Sequence, residues 1–111
     1  MIPEDLETKA YEVFVYPKLS IIEIIGKNLK LQEETIKHAQ ELAIEYIKKT
    51  YHQPRYSHIK FLLPAFVYIA AILDNDRRTQ YEIAQAFGVT ESSVRKWYLH
   101  IKTIMDIKII L

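Results

Sequence analysis

The chain has 111 residues, half of them hydrophobic, with 15 Lys and Arg, 14 Asp and Glu, and a net charge of +1. That is the length of one domain with enough apolar material for a core. Without cysteine, disulfides, thiolate zinc sites and cysteine nucleophiles are excluded, and no apolar run approaches the ~20 residues of a membrane span.

The acidic start, Met1-Ile2-Pro3-Glu4-Asp5, lacks the charged-then-apolar order of a signal segment. A soluble, intracellular (cytoplasmic) protein is expected. Charge divides unevenly along the chain. Residues 1–50 carry seven Lys/Arg against nine Asp/Glu, and residues 51–111 carry eight against five. An anionic partner should therefore meet the second half.

Glycine and proline are scarce and strand-like alternation is nearly absent, which points to an all-α fold. Residues 1–15 read as an N-terminal extension. Within it Leu6, Ala10, Val13 and Phe14 fit one helical face, although Val13 to Tyr16 would also suit a strand. Pro17 suits a first helical position, and Leu19, Ile22, Ile25 and Leu29 follow at helical spacing, with Gly26 as the expected stop. Gln32 to Lys49 is a clear amphipathic helix whose acids lead and whose lysines close. The stretch from Thr50 to Tyr56, with Pro54, reads as a loop.

Ser57 is an expected cap for the next helix, which is apolar on nearly every side from Phe61 to Leu73. A helix like that belongs in the centre of a domain. Pro64 should kink or restart it, and Asp74-Asn75-Asp76 should end it.

From Arg77 to about Lys108 the pattern predicts a helix-turn-helix. Thr79 and Glu82 have the spacing of a capping box before a short helix to Ala86. Gly88 stands where the turn needs a left-handed residue. Val89 should plug the core, and Thr90 should cap the last helix, with Glu91 in its first turn. Val94, Trp97, Tyr98, Ile101, Ile104 and Met105 form the packing stripe. Ser92, Arg95, Lys96 and Leu99 lie on another side.

A recognition helix meets base edges with such residues while its flanks hold phosphate. Arginine is the usual partner of guanine, and Arg77, Arg78 and Thr79 lead into a helix N-terminus that suits phosphate. The expected DNA-binding set is Arg77, Arg78, Thr79, Thr90, Ser92, Ser93, Arg95 and Lys96. The apolar stretch from Ile101 to Leu111 either closes the core or forms a homodimer seam. His38, His52, His58 and His100 lack ligand spacing, so neither a metal nor another cofactor is expected, and they read as surface residues. No catalytic set of residues is apparent, so an enzyme is not expected.

Four stretches resemble the second cyclin-type repeat of the transcription factor IIB family, with the archaeal transcription factor B branch nearest. They are Tyr68-Ile69-Ala70-Ala71-Ile72-Leu73, Arg78-Thr79-Gln80-Tyr81-Glu82-Ile83-Ala84, Gly88-Val89-Thr90-Glu91 and Val94-Arg95-Lys96-Trp97-Tyr98. The likeness extends upstream to Tyr16-Pro17-Lys18 and the helix from Gln32 to Lys49, covering about Tyr16 to Met105.

The resemblance implies a five-helix cyclin-like domain over residues 16–108, with the helix-turn-helix at 77–108. It also implies double-stranded promoter DNA as partner, with TATA-binding protein and RNA polymerase, a role in transcription initiation, and Arg95 as the main base contact. Ser92 stands where the family usually has a base-touching valine, and Ser93 where it has threonine. The family's zinc ribbon, reader-linker and first repeat have no counterpart in these residues. A second reading is a cyclin-like docking module that binds TATA-binding protein, polymerase or itself without reading DNA.

Overall fold

The computed structural model describes residues 16–50 and 56–109, with side chains described from Lys18 in the first helix and from Lys60 in the third. The described residues form five helices and no strand: α1 (Tyr16–Asn28), α2 (Glu33–Thr50), α3 (Tyr56–Leu73), α4 (Gln80–Phe87) and α5 (Glu91–Ile104). This is the all-α, cyclin-like architecture expected. The readings made for residues 1–15 and for the loop around Pro54 lie outside the described residues.

Helix α3 is the hub. Every residue from Leu62 to Ala71 is buried, and the helix touches all four others. A helix apolar all round is stable only when surrounded, and here α1 and α2 lie to one end of the order and α4 and α5 to the other. Tyr46 of α2 meets Phe66 edge-on at 5.6 Å, and Tyr68 of α3 meets Tyr98 of α5 edge-on at 5.1 Å. Both arrangements suit the aromatic quadrupole.

Of the two effects expected of Pro64, a kink or a restart, the restart does not occur. The helix runs through it, and its ring is fully buried. Proline has no N–H to give the Lys60 carbonyl, so one helical bond is missing, and burial of the ring in the hub compensates. The helix begins at Tyr56, ahead of Ser57, so Ser57 lies inside the first turn and is not its cap.

Four helices end in the same way. The chain turns left-handed at Lys30 (φ 58°), Asn75 (φ 55°), Gly88 (φ 69°) and Asp106 (φ 51°). Each time the following amide bonds a carbonyl five residues back: Leu31 to Gly26, Asp76 to Ala71, Val89 to Ala84 and Ile107 to Lys102. This is the Schellman arrangement, which satisfies carbonyls that a helix end leaves open. Gly88 and the Asp74-Asn75-Asp76 turn behave as the sequence indicates.

Gly26 does not stop α1. It lies inside the helix, buried, and the left-handed position falls to Lys30. Its role is close packing, because a Cβ at Gly26 would stand 2.7 Å from Ile36 Cγ1 and 3.0 Å from Ile36 Cδ1. Gly26→Ala is therefore expected to push α1 off α2 and to cost about 1–3 kcal/mol of overpacking. Denaturant melts of the two proteins measure it, and equal midpoints would remove this role for Gly26.

The tail also differs from a simple last helix. Helix α5 ends at Ile104 rather than near Lys108. The chain then turns at Asp106 and folds back. Ile101 and Ile109 are buried, and Ile104, Met105 and Ile107 pack against the core. Lys102 Nζ donates to the Ile109 carbonyl at 2.9 Å and fixes the return. The tail, as far as Ile109, packs against its own core, the first of the two burial partners that the sequence left open.

Candidate nucleic-acid interface

The helix-turn-helix is assembled by local bonds. Thr79 precedes α4 in extended conformation. The Glu82 amide donates to Thr79 Oγ1 at 3.0 Å, and the Thr79 amide donates to Glu82 Oε1 at 3.1 Å. This reciprocal box satisfies two donors that the helix leaves open. The backbone bond from Thr79, then its side-chain bond, hold the Glu82 carboxyl below its ordinary value.

A lowered native value means stability that is complete at neutral pH and lost as pH falls through the native value. The melting-temperature gap between the protein and Glu82→Ala should therefore narrow as pH falls below the ordinary carboxylate range. A gap that persists unchanged there would contradict the charged form of the box.

Gly88 turns the chain, and Val89, half-buried, packs against the core beneath the turn. Thr90 then caps α5, its Oγ1 accepting from the Ser93 amide at 3.2 Å and lying 2.8 Å from Ser93 Oγ and 3.2 Å from Ser92 Oγ. Helix α5 has two sides. Val94, Tyr98 and Ile101 are buried, and Trp97 is half-buried. Ser92, Arg95, Lys96 and Leu99 are exposed on the opposite side. Lys96 Nζ stands 5.4 Å from the centre of the Trp97 ring, close enough for a cation–π attraction that leaves the ammonium in water.

Seven of the eight expected contact residues fall into three groups. Ser92, Arg95 and Lys96 share the outward side of α5, with Ser93 half-buried beside them. Arg77 is exposed just ahead of α4. Thr79 and Thr90 spend their hydroxyls on caps.

Arg78, also among the expected contacts, has its guanidinium engaged within the fold. Its Nε donates to the Leu29 carbonyl at 3.1 Å and its Nη2 to the Lys30 carbonyl at 3.1 Å. Its Nη1 reaches Asp76 Oδ1 at 3.2 Å and the Arg77 carbonyl at 2.9 Å. The other Asp76 oxygen, Oδ2, accepts from the Gln32 amide at 2.8 Å. Arg78 and Asp76 thus brace the entry to the helix-turn-helix against the α1–α2 corner. Partners 44 to 49 residues away leave no sequence signal.

The histidines also have inward links. His38 Nδ1 donates to Asp74 Oδ1 at 2.9 Å, tying α2 to the end of α3. His100 is exposed, yet its Nε2 lies 3.0 Å from the Tyr46 hydroxyl. His52 and His58 are outside the described side chains. No group of three or more His, Asp or Glu that could hold a metal occurs among the described residues.

The family model for the transcription factor TFIIB repeat matches residues 14–104, which takes in all five helices up to the end of α5. The chain belongs to the TFIIB repeat family.

Proteins that carry the name transcription initiation factor IIB are similar to parts of this chain. The protein of Sulfurisphaera tokodaii is 34% identical over 90 residues, which is 81% of this chain and 26% of that protein. That of Methanothrix thermoacetophila is 51% identical over 47 residues, 42% of this chain and 14% of the relative. Transcription initiation factor IIB 1 of Saccharolobus solfataricus is 48% identical over 48 residues, 43% of this chain and 16% of the relative. The chain thus spans about a quarter or less of the length of these relatives. No described helix is long and apolar enough to cross a membrane.

Proposed function

We propose that the chain is a DNA-binding module of transcription initiation, meeting duplex promoter DNA through the outward side of α5. The observation that carries this reading is the side itself: Ser92, Arg95 and Lys96 stand exposed over the first two turns of a helix presented by a capped and glycine-turned helix-turn-helix. Neither cation forms an ion pair among the described residues.

Arg95 has the length and the two-pronged donor geometry to read guanine in the major groove. Lys96 and Arg77 supply phosphate contacts. Ser92 and Ser93 provide hydroxyls, and the helix starts capped by Thr79 and Thr90 present their remaining open amides to the backbone. The names of the relatives support the initiation role. TATA-binding protein and RNA polymerase belong to the proposal as partners of the family.

Mobility shift of a short AT-rich promoter duplex tests the reading. Two phosphate cations imply a slope of about −2 in log K against log salt. Absence of retardation at low salt, or affinity indifferent to salt, would overturn it. A docking reading is favoured by one observation only, the side chain of Ile24, 61% exposed on α1. It predicts binding to TATA-binding protein or polymerase that survives loss of Arg95 and Lys96.

A further inference from the structure

We propose that Leu99 is a specificity-determining residue that reads the 5-methyl group of thymine, one helical turn beyond Arg95. This rests on the DNA-binding reading and deepens it. Arg95 and Lys96 lie three and four residues after Ser92, and Leu99 lies four and three residues after them, so the four rise along one side of α5. The core residues Val94, Tyr98 and Ile101 face the other way. Leu99 is 46% exposed. Its outward neighbours Ser92, Arg95, Lys96 and Thr103 are all polar and exposed.

The other large exposed apolar residues differ in setting. Leu73 ends α3, Tyr81 has its hydroxyl bonded to Gln85, and Ile24 lies on α1. Leu99 stands one turn from two cations without ion partners among the described residues.

That setting selects the occupant. A protein's apolar pocket closing over Leu99 would also strip water from Arg95 and Lys96, and charged residues are depleted from the cores of such interfaces for that reason. A duplex offers phosphates and a guanine edge to the cations and, on the same groove floor, an apolar spot. In the major groove that spot is the thymine methyl. Four residues advance about 6 Å along a helix, against 3.4 Å per base step. Leu99 therefore falls one or two base pairs from the base that Arg95 meets.

Replacing thymine by uracil deletes that methyl and leaves the hydrogen-bonding edge intact. The test measures binding of the chain and of Leu99→Ala to one AT-rich duplex and to its counterpart with uracil at every thymine. The unaltered chain should bind the uracil duplex about fourfold more weakly, the value of one buried methyl. Leu99→Ala should lose about the same factor on the thymine duplex and cease to distinguish the two. Leu99→Met, which keeps an apolar tip, should restore discrimination. Equal melting temperatures of the three proteins show that folding is not the cause.

An unaltered chain indifferent to uracil, or a Leu99→Ala protein that still discriminates, overturns the inference while leaving DNA binding in place. Failure to bind either duplex rejects the DNA-binding reading itself, and the inference with it.

Discussion

Arg95→Ala is expected to weaken binding to the preferred duplex ~10- to 100-fold, the value of a good bidentate base contact, and to flatten the preference at one base pair. The residue is exposed, so stability should be unchanged. Lys96→Ala should act differently. As a phosphate contact it should weaken all duplexes alike and lower the salt slope by about one. Titrations of both variants against matched and mismatched duplexes at two salt concentrations separate these effects. If Arg95→Ala lowers affinity equally for every sequence, arginine is a backbone contact and base reading lies elsewhere.

Arg78→Ala should produce the opposite signature. Arg78 and Asp76 have side chains only 23% and 11% exposed. Removing the guanidinium leaves the Asp76 charge without its cation and the Leu29 and Lys30 carbonyls without their donor. Breaking a charge-assisted, partly buried bond set of this kind costs about 2 kcal/mol. For a domain of this size that is a fall of roughly 10 °C in Tm. Arg78→Lys should recover little of it, because an ammonium cannot reproduce a fork aimed at several acceptors. The salt slope of DNA binding should stay the same in both variants. A slope reduced by about one with an unchanged Tm would return Arg78 to the phosphate contacts.

What was legible in the sequence was local. The Thr79–Glu82 box, the Gly88 turn and the Thr90 cap involve residues within six positions of each other, so spacing specifies the bond. The centrality of α3 was equally plain, since a helix without a polar side must be surrounded. Gly26 was misread because glycine serves both left-handed ends and close approaches, and only the position of Ile36 decides between them. Lys30 carries a positive φ that its residue type does not advertise. The tail offered two burial partners, its own core or a second chain, and the turn at Asp106 with the Lys102–Ile109 bond chose the core. Within the candidate site, exposure of Ser92, Arg95 and Lys96 followed from helical periodicity. The brace by Arg78 did not, because its acceptors are backbone carbonyls distant in sequence, which any residue type provides.

The central claim is that duplex DNA lies against the outward side of α5. Amide chemical-shift mapping of the labelled chain, titrated with a short AT-rich duplex at low salt, tests it most directly. Shifts should concentrate at Ser92, Ser93, Arg95, Lys96 and Leu99, with a second set at Arg77 ahead of α4. Shifts confined to α1 around Ile24, or none on α5 at saturating DNA, would contradict it.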